Sequence, residues 1–179
     1  MSQPPTLPPV TELFRMDGQR VLLTGAGGAI GSVLARAFAE LGATVTLHDI
    51  SKEKLEPLAN ELTDTGATVV TLAADLADAA ECSRVIAEAA TAMGGLDVLV
   101  NGAGINRRKP ILEVTPDDFD AITAVNMRSV FFLSQAAYPF LKASSNGAIV
   151  NLSSLSARYS FNTISVYAAT KAAVSGMTR

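Results

Sequence analysis

TGAGGAIG, Thr24 to Gly31, lies between a short apolar run, RVLLT, and IGSVLARAFAELG, whose apolar residues recur at helical spacing until Gly42 stops them. A strand, a glycine turn and a helix in that order set the pattern, and the pattern repeats. TVTLHD reads as a strand, and KEKLEPLANELTDTG as a helix whose first turns Pro57 should kink or shorten. TVVTLAAD is a strand, ADAAECSRVIAEAATAMGG a helix and LDVLVN a strand. DDFDAITAVNMRSVFFLSQAAYPFLKA reads as one long helical tract or two abutting helices, GAIVNLSS as a fifth strand, and a last helix begins near Ile164. Five short apolar strands alternating with helices predict an α/β fold, a doubly wound parallel sheet covered on both faces. Ligands of such sheets bind beyond the carboxyl ends of the strands, which is where the glycines fall.

The 179 residues, 49% of them hydrophobic, are enough for one domain with a sizeable core. A formal charge of -3 supplies no basic stripe for nucleic acid. The single Cys82 cannot form an internal disulfide, and no Cys/His cluster has metal-ligand spacing, so no metal is expected. No apolar run approaches membrane-spanning length and no signal peptide is evident, so a soluble cytoplasmic protein without membrane contact is expected. Residues 1–16 open with MSQPPTLPPV and read as a Pro-rich flexible arm; residues 17–179 form the domain.

Glycines let the loop at 24–31 turn tightly and approach a pyrophosphate, while the following helix offers free N–H groups. The spacing is not G-x-G-x-x-G, and no Lys-Ser/Thr follows, which disfavours a phosphate-loop ATPase. Asp49 ends the second strand, 24 residues after Gly25, where an acid can accept hydrogen bonds from an adenosine ribose. Its carboxylate repels a 2′-phosphate, and Ala26, Gly27 and Gly28 offer no cation to offset that. NAD is therefore favoured over NADP. The alternative is that Asp49, in competition with Ser51, caps the next helix; His48 reads as a satisfied strand-end histidine.

In VYAATKAAVSGMTR, Val166 to Arg179, Tyr167 and Lys171 stand four apart and share a helix face. Free tyrosine is a poor base near neutrality, with a pKa of about 10. A lysine cation close by favours the tyrosinate and brings the phenol toward the range a general acid/base needs. Ser154, ending the fifth strand, can hydrogen-bond a substrate oxygen, whereas Ser153 should point to the other side.

Taken together these residues resemble the short-chain dehydrogenases/reductases, across nearly all of the chain after the arm. TGAGGAIG looks like that family's cofactor loop, with Ala29 where glycine is usual. NGAG, Asn101 to Gly104, looks like its fourth-strand motif, with Gly102 in place of the usual asparagine. Asp75-Leu76 matches the pair that contacts the adenine. Asn126, Ser154, Tyr167 and Lys171 fall where the catalytic tetrad falls, with thirteen residues from Ser154 to Tyr167.

The resemblance implies a Rossmann-like fold and a homo-oligomer, tetramer or dimer. It implies cofactor contacts from Gly25, Ala26, Gly27, Gly28, Ala29, Ile30 and Gly31, from Asp49 and Ile50, from Asp75 and Leu76, from Asn101, Gly102, Ala103 and Gly104, and from Tyr167 and Lys171. It assigns Asn126 to anchor a water of the proton relay, a role that composition alone would not suggest for a mid-helix asparagine. Members of the family continue past this helix into two more strands and a closing loop. The usual C-terminal portion is thus expected to be missing, and a polypeptide ending at Arg179 is expected to be inactive and poorly soluble.

GINRRKP follows the fourth strand and puts Arg107, Arg108 and Lys109 near the mouth of the site, with Arg158 four residues past Ser154. Guanidinium forks suit carboxylates, and an arginine pair here resembles the sugar-acid dehydrogenases. The expected substrate is a small secondary alcohol or ketone, a sugar acid or polyol. The alternatives are an NADPH-dependent 3-oxoacyl-carrier-protein reductase, which Asp49 disfavours, and a non-catalytic cofactor-binding scaffold, which the complete Ser-Tyr-Lys set disfavours.

Overall fold

The alternation of apolar runs builds a sheet of five parallel strands in the order β3-β2-β1-β4-β5. The computed structural model describes residues 9–159 and 161–179; the arm reading of residues 1–8 lies outside them. The strands are β1 (Arg20–Thr24), β2 (Thr44–Asp49), β3 (Val69–Ala73), β4 (Val98–Asn101) and β5 (Ala148–Asn151). A short turn of helix, α1 (Val10–Leu13), precedes the sheet. Met16, assigned to the arm on composition, donates its N–H to the Leu41 carbonyl (2.8 Å) and packs on the core.

Strand residues alternate between the two faces of a sheet, so β1 feeds two cores. Val21 and Leu23 join Val45 and Leu47 of β2 under α2 (Ala29–Glu40) and α3 (Glu56–Asp64). Leu22 joins Leu99 of β4 on the opposite face, against α4 (Ala79–Met93) and α6 (Ser129–Ala143). Pro57 occupies the first turn of α3, where its missing N–H costs no helical bond, and the helix is short as expected. Neither Asp49 nor Ser51 caps it, because the chain makes a further turn and Leu55 takes that position.

The long tract after β4 is continuous but not uniform. α5 (Pro116–Thr123) starts at a capping box between Thr115 and Asp118, and a π-helical turn, Ala124–Arg128, joins it to α6. The chain closes with α7 (Ser165–Thr178). β5 forms one edge of the sheet, and its Ile149 and Val150 are exposed. No helix among the described residues is long and apolar enough to cross a membrane.

Asp97, buried at the amino end of β4, ties three elements together. It accepts two bonds from the Arg20 guanidinium (2.7 and 2.8 Å), one from the Arg20 N–H (2.9 Å) and one from the Ser144 hydroxyl (2.6 Å). The Arg20 guanidinium, bonded to it, holds its carboxyl well below the usual carboxylate range. Asp97→Ala should cost about 2–4 kcal/mol in urea denaturation at pH 7, the penalty for breaking a largely buried pair. A depressed native pKa stabilises above the unfolded value and is lost as pH falls through the native one. The gap between wild type and variant should therefore be full above about pH 4 and narrow below it.

Candidate active site

At the carboxyl end of the sheet, the order of strands reverses between β1 and β4, and the glycine loop lies at that crevice. Gly25 has φ +72°, and a Cβ there would stand 2.8 Å from the Ala103 Cα. A Cβ on Gly31 would meet the Gly25 carbonyl at 2.1 Å, so loop and helix pack backbone to backbone. The Thr24 hydroxyl accepts the N–H groups of Gly102 (3.0 Å) and Ala103 (3.2 Å) and donates to the Val100 carbonyl (3.2 Å), locking the β1 and β4 loops together. Gly102 suits this contact, since a Cβ would approach the Thr24 carbonyl to 2.6 Å.

The helix cap of α2 is Gly28, which has no side chain to satisfy the first-turn donors. Those N–H groups face a cleft of about 440 Å³ lined by Gly27 to Gly31, Asp49, Ile50, Asp75, Leu76 and Gly102 to Gly104. Ala26 is buried below it, its N–H held by the His48 carbonyl (2.9 Å). Asn101 supports the cleft from beneath: its amide donates to Asn151 (2.8 Å) and Ser134 (3.3 Å). Unused donors, glycine-lined walls and an acid at the far end fit a dinucleotide.

The acid is held tightly. Asp49 accepts the N–H of Gly27 (3.1 Å) and of Ile50 (2.9 Å). Lys54 also reaches it, at 3.9 Å, and lines the same cleft, so a cation is present where the loop itself has none. Nothing in the sequence flags Lys54, because the turn that returns it to Asp49 has no periodic signature. His48 departs from expectation too. Strand alternation turns it inward, where it is buried and neither ring nitrogen has a partner among the described residues. Burial pushes its pKa down to about 4, so the ring is neutral at pH 7.

Of the four residues assigned to catalysis, Asn126 and Lys171 stand next to Gly104 of the cleft. Asn126 stands in the π turn, fully buried, and its amide accepts the Ile105 N–H and donates to the Ile105 carbonyl, both at 2.8 Å. Lys171 is buried on α7, donates to the Leu152 carbonyl (2.7 Å) and lies 5.7 Å from the centre of the Tyr167 ring. Burial lowers the pKa of its ammonium. A Cβ on Gly104 would stand 3.4 Å from Asn126 Oδ1 and 3.6 Å from Lys171 Nζ, so cleft and catalytic wall share one glycine.

Ser154 accepts both the N–H (3.1 Å) and the hydroxyl (2.9 Å) of Ser156, which leaves its own proton to donate. Ser153 turns away, toward the Lys171 carbonyl (3.0 Å) and Ser175 (2.7 Å) on α7. Ser156 gave no sequence signal, since a serine beside two others reads as polar loop.

The cations expected to face a substrate are divided. Arg107 (3.2 Å) and Lys109 (2.6 Å) both bind the buried Asp118, whose carboxyl the Lys109 ammonium and the Thr115 N–H and hydroxyl hold well below its ordinary range. Arg107 is thus a clamp on its own loop, because a buried carboxylate requires neutralisation. The T-P-D-D capping pattern marks Asp118 in the sequence but not its two cations. Arg108 has no ion pair among the described residues, and Arg158 is exposed after a short 3-10 turn, Leu155–Ala157.

Residues 19–179 match the sequence profile of the short chain dehydrogenases. The chain belongs to that family. This short-chain dehydrogenase is 37% identical over 93% of its length to a 3-oxoacyl-acyl-carrier-protein reductase from Thermotoga maritima, of which it covers 68%. It is 32% identical over 95% of its length to a 5-keto-D-gluconate 5-reductase from Escherichia coli K12, of which it covers 67%. The crystal structure of a gluconate 5-dehydrogenase from Burkholderia cenocepacia, in complex with NADP and tartrate, superposes with a TM-score of 0.87 at 39% identity, covering 94% of this chain and 66% of that one. The chain therefore spans about two thirds of the length of these relatives.

Asn126 gives the site a stability signature. Asn126→Ala removes both bonds to Ile105 and should cost about 1–3 kcal/mol in equilibrium unfolding. An unchanged midpoint would mean that the amide holds nothing in place.

Proposed function

We propose that this short-chain dehydrogenase transfers a hydride between NAD(H) and a secondary alcohol or ketone, a sugar acid or polyol. The observation that carries the reading is that Gly104, which lines the dinucleotide cleft, also stands against Asn126 and Lys171, which supports an acid/base set beside the cofactor. The nicotinamide, when bound, supplies or accepts the hydride. Tyr167 moves the substrate proton, its ring centre 5.7 Å from the Lys171 ammonium on the same helix. Ser154 donates its free proton to the substrate oxygen and shares the charge that develops there. Asn126 holds the Ile105 segment and anchors the relay behind Lys171.

NAD is the preferred cofactor in this reading, because the fixed Asp49 carboxylate faces the ribose hydroxyls. Arg108 is the carboxylate-binding residue in this reading, with Arg107 committed to Asp118 and Arg158 a second exposed cation. The names of two relatives, gluconate enzymes both, support an acid substrate. Reduction of a 3-oxoacyl group with NADPH is a second reading, supported by the Thermotoga relative and opposed by Asp49. A scaffold without turnover has no use for the Ser-Tyr-Lys set. Self-association would use the outer side of α6, where Phe131 and Tyr138 are exposed.

An assay of the full-length protein with NAD and NADP against sugar acids and polyols tests the assignment. Tyr167→Phe should abolish most turnover and leave NADH affinity within a few-fold; a near-wild-type rate would overturn the proton-transfer role. Arg108→Ala should raise KM for a sugar acid about ten- to a hundredfold, the range for one charged hydrogen bond, and spare the uncharged polyol. Equal effects on both would assign Arg108 to a solvated loop.

A further inference from the structure

A serine oxygen has two lone pairs and one proton to place in hydrogen bonds. At Ser154 both lone pairs go to a single residue: Ser156 donates its N–H at 3.1 Å and its hydroxyl at 2.9 Å. The N–H bond caps the short turn Leu155–Ala157 and draws the Ser154 oxygen back over its own backbone. The hydroxyl bond is not needed for that turn, because the N–H alone caps it. It asks for a separate reason.

Ser156 is placed to give that bond and nothing else. It is buried, at 7% exposure, although Leu155 beside it is 73% exposed. The turn packs against α7, the helix that bears Tyr167 and Lys171. The Ser156 hydroxyl has no other hydrogen-bond partner among the described residues. Ser153 cannot substitute for it, being held by the Lys171 carbonyl (3.0 Å) and Ser175 (2.7 Å). Away from water a hydroxyl keeps the partner it has, and an oxygen that accepts two donors gives its own proton more strongly.

We propose that Ser156 is a positioning residue for the Ser154 hydroxyl, filling its second lone pair so that only the Ser154 proton remains for a substrate oxygen. The proposal rests on the reading of Ser154 as a donor to the substrate and deepens it. With that lone pair open, Ser154 is free to accept a hydrogen bond, from water or from a substrate alcohol, and donation becomes one of two states. With it filled, the donor state is set before substrate arrives. A donor fixed in advance is what stabilises charge developing on the reacting oxygen. Ser156 acts without touching the substrate.

Steady-state kinetics of the full-length protein, with D-gluconate and sorbitol as alcohols and NAD and NADP as cofactors, tests this. Ser156→Ala should lower kcat about three- to tenfold, the range for one hydrogen bond, with KM changed less than about twofold. That split marks an interaction made in the transition state. Ser156→Cys, close in shape but a weak donor, should fall with the alanine variant, whereas Ser156→Thr keeps the hydroxyl and should stay within about twofold of wild type. A wild-type rate in Ser156→Ala or Ser156→Cys, a loss in KM in place of kcat, or a threonine variant as slow as alanine would overturn the proposal. Ser154→Ala separates it from the reading beneath: a large loss there beside an unchanged Ser156→Ala overturns the role of Ser156 alone. Ser154→Ala at the wild-type rate, or wild-type protein that turns over neither alcohol with either cofactor, would overturn both.

Discussion

The amide of Asn126 bonds the Ile105 peptide N–H and carbonyl at once, and one half of the candidate site is organised around that pair of contacts. It requires an irregular helix. The π turn at 124–128 lets Asn126 face inward, where it is fully buried and its amide lies 3.4 Å from the Thr170 hydroxyl of α7. Thr170 adjoins Lys171, whose ammonium is in turn bound to the Leu152 carbonyl after β5. One side chain thereby couples the loop after β4, the α5–α6 tract and the helix that bears the tyrosine and lysine. The buried polar groups along this chain have partners, as the low-dielectric interior demands.

On the cofactor side the same end is reached by removing side chains instead of adding them. Gly25, Gly31 and Gly102 bring three backbone segments closer than any Cβ allows, and the Thr24 hydroxyl closes the gap with three hydrogen bonds. The rigidity of that crevice matters for charge as well as shape. It holds the Asp49 carboxylate in one position, while the exposed Lys54 engages it only loosely, at 3.9 Å.

The loop between β4 and α5 shows why charged residues near a site resist assignment from sequence. Arg107, Arg108 and Lys109 are consecutive cations, and by type alone all three suit an acidic substrate. Asp118 separates them. Buried at the start of α5, it needs neutralisation and takes Arg107 and Lys109, leaving Arg108 without an ion pair among the described residues. A substrate role inferred for a basic cluster depends on which of its members the fold has already engaged.

The strands β1 and β2, the glycine loop, the start of α7 and the Tyr167–Lys171 pairing could all be read from the chain before any coordinates. Their causes are local: side-chain alternation with period two, helical spacing of apolar residues, the steric freedom of glycine, and one helical turn between positions four apart. The π turn, the partners of Asp118, the unpartnered His48 and the approach of Lys54 to Asp49 could not. Each joins residues whose proximity arises only after the sheet has formed and the connecting turns have brought their side chains together. Contacts of that kind leave no period in the sequence, because they depend on burial and on the charges that burial forces into pairs.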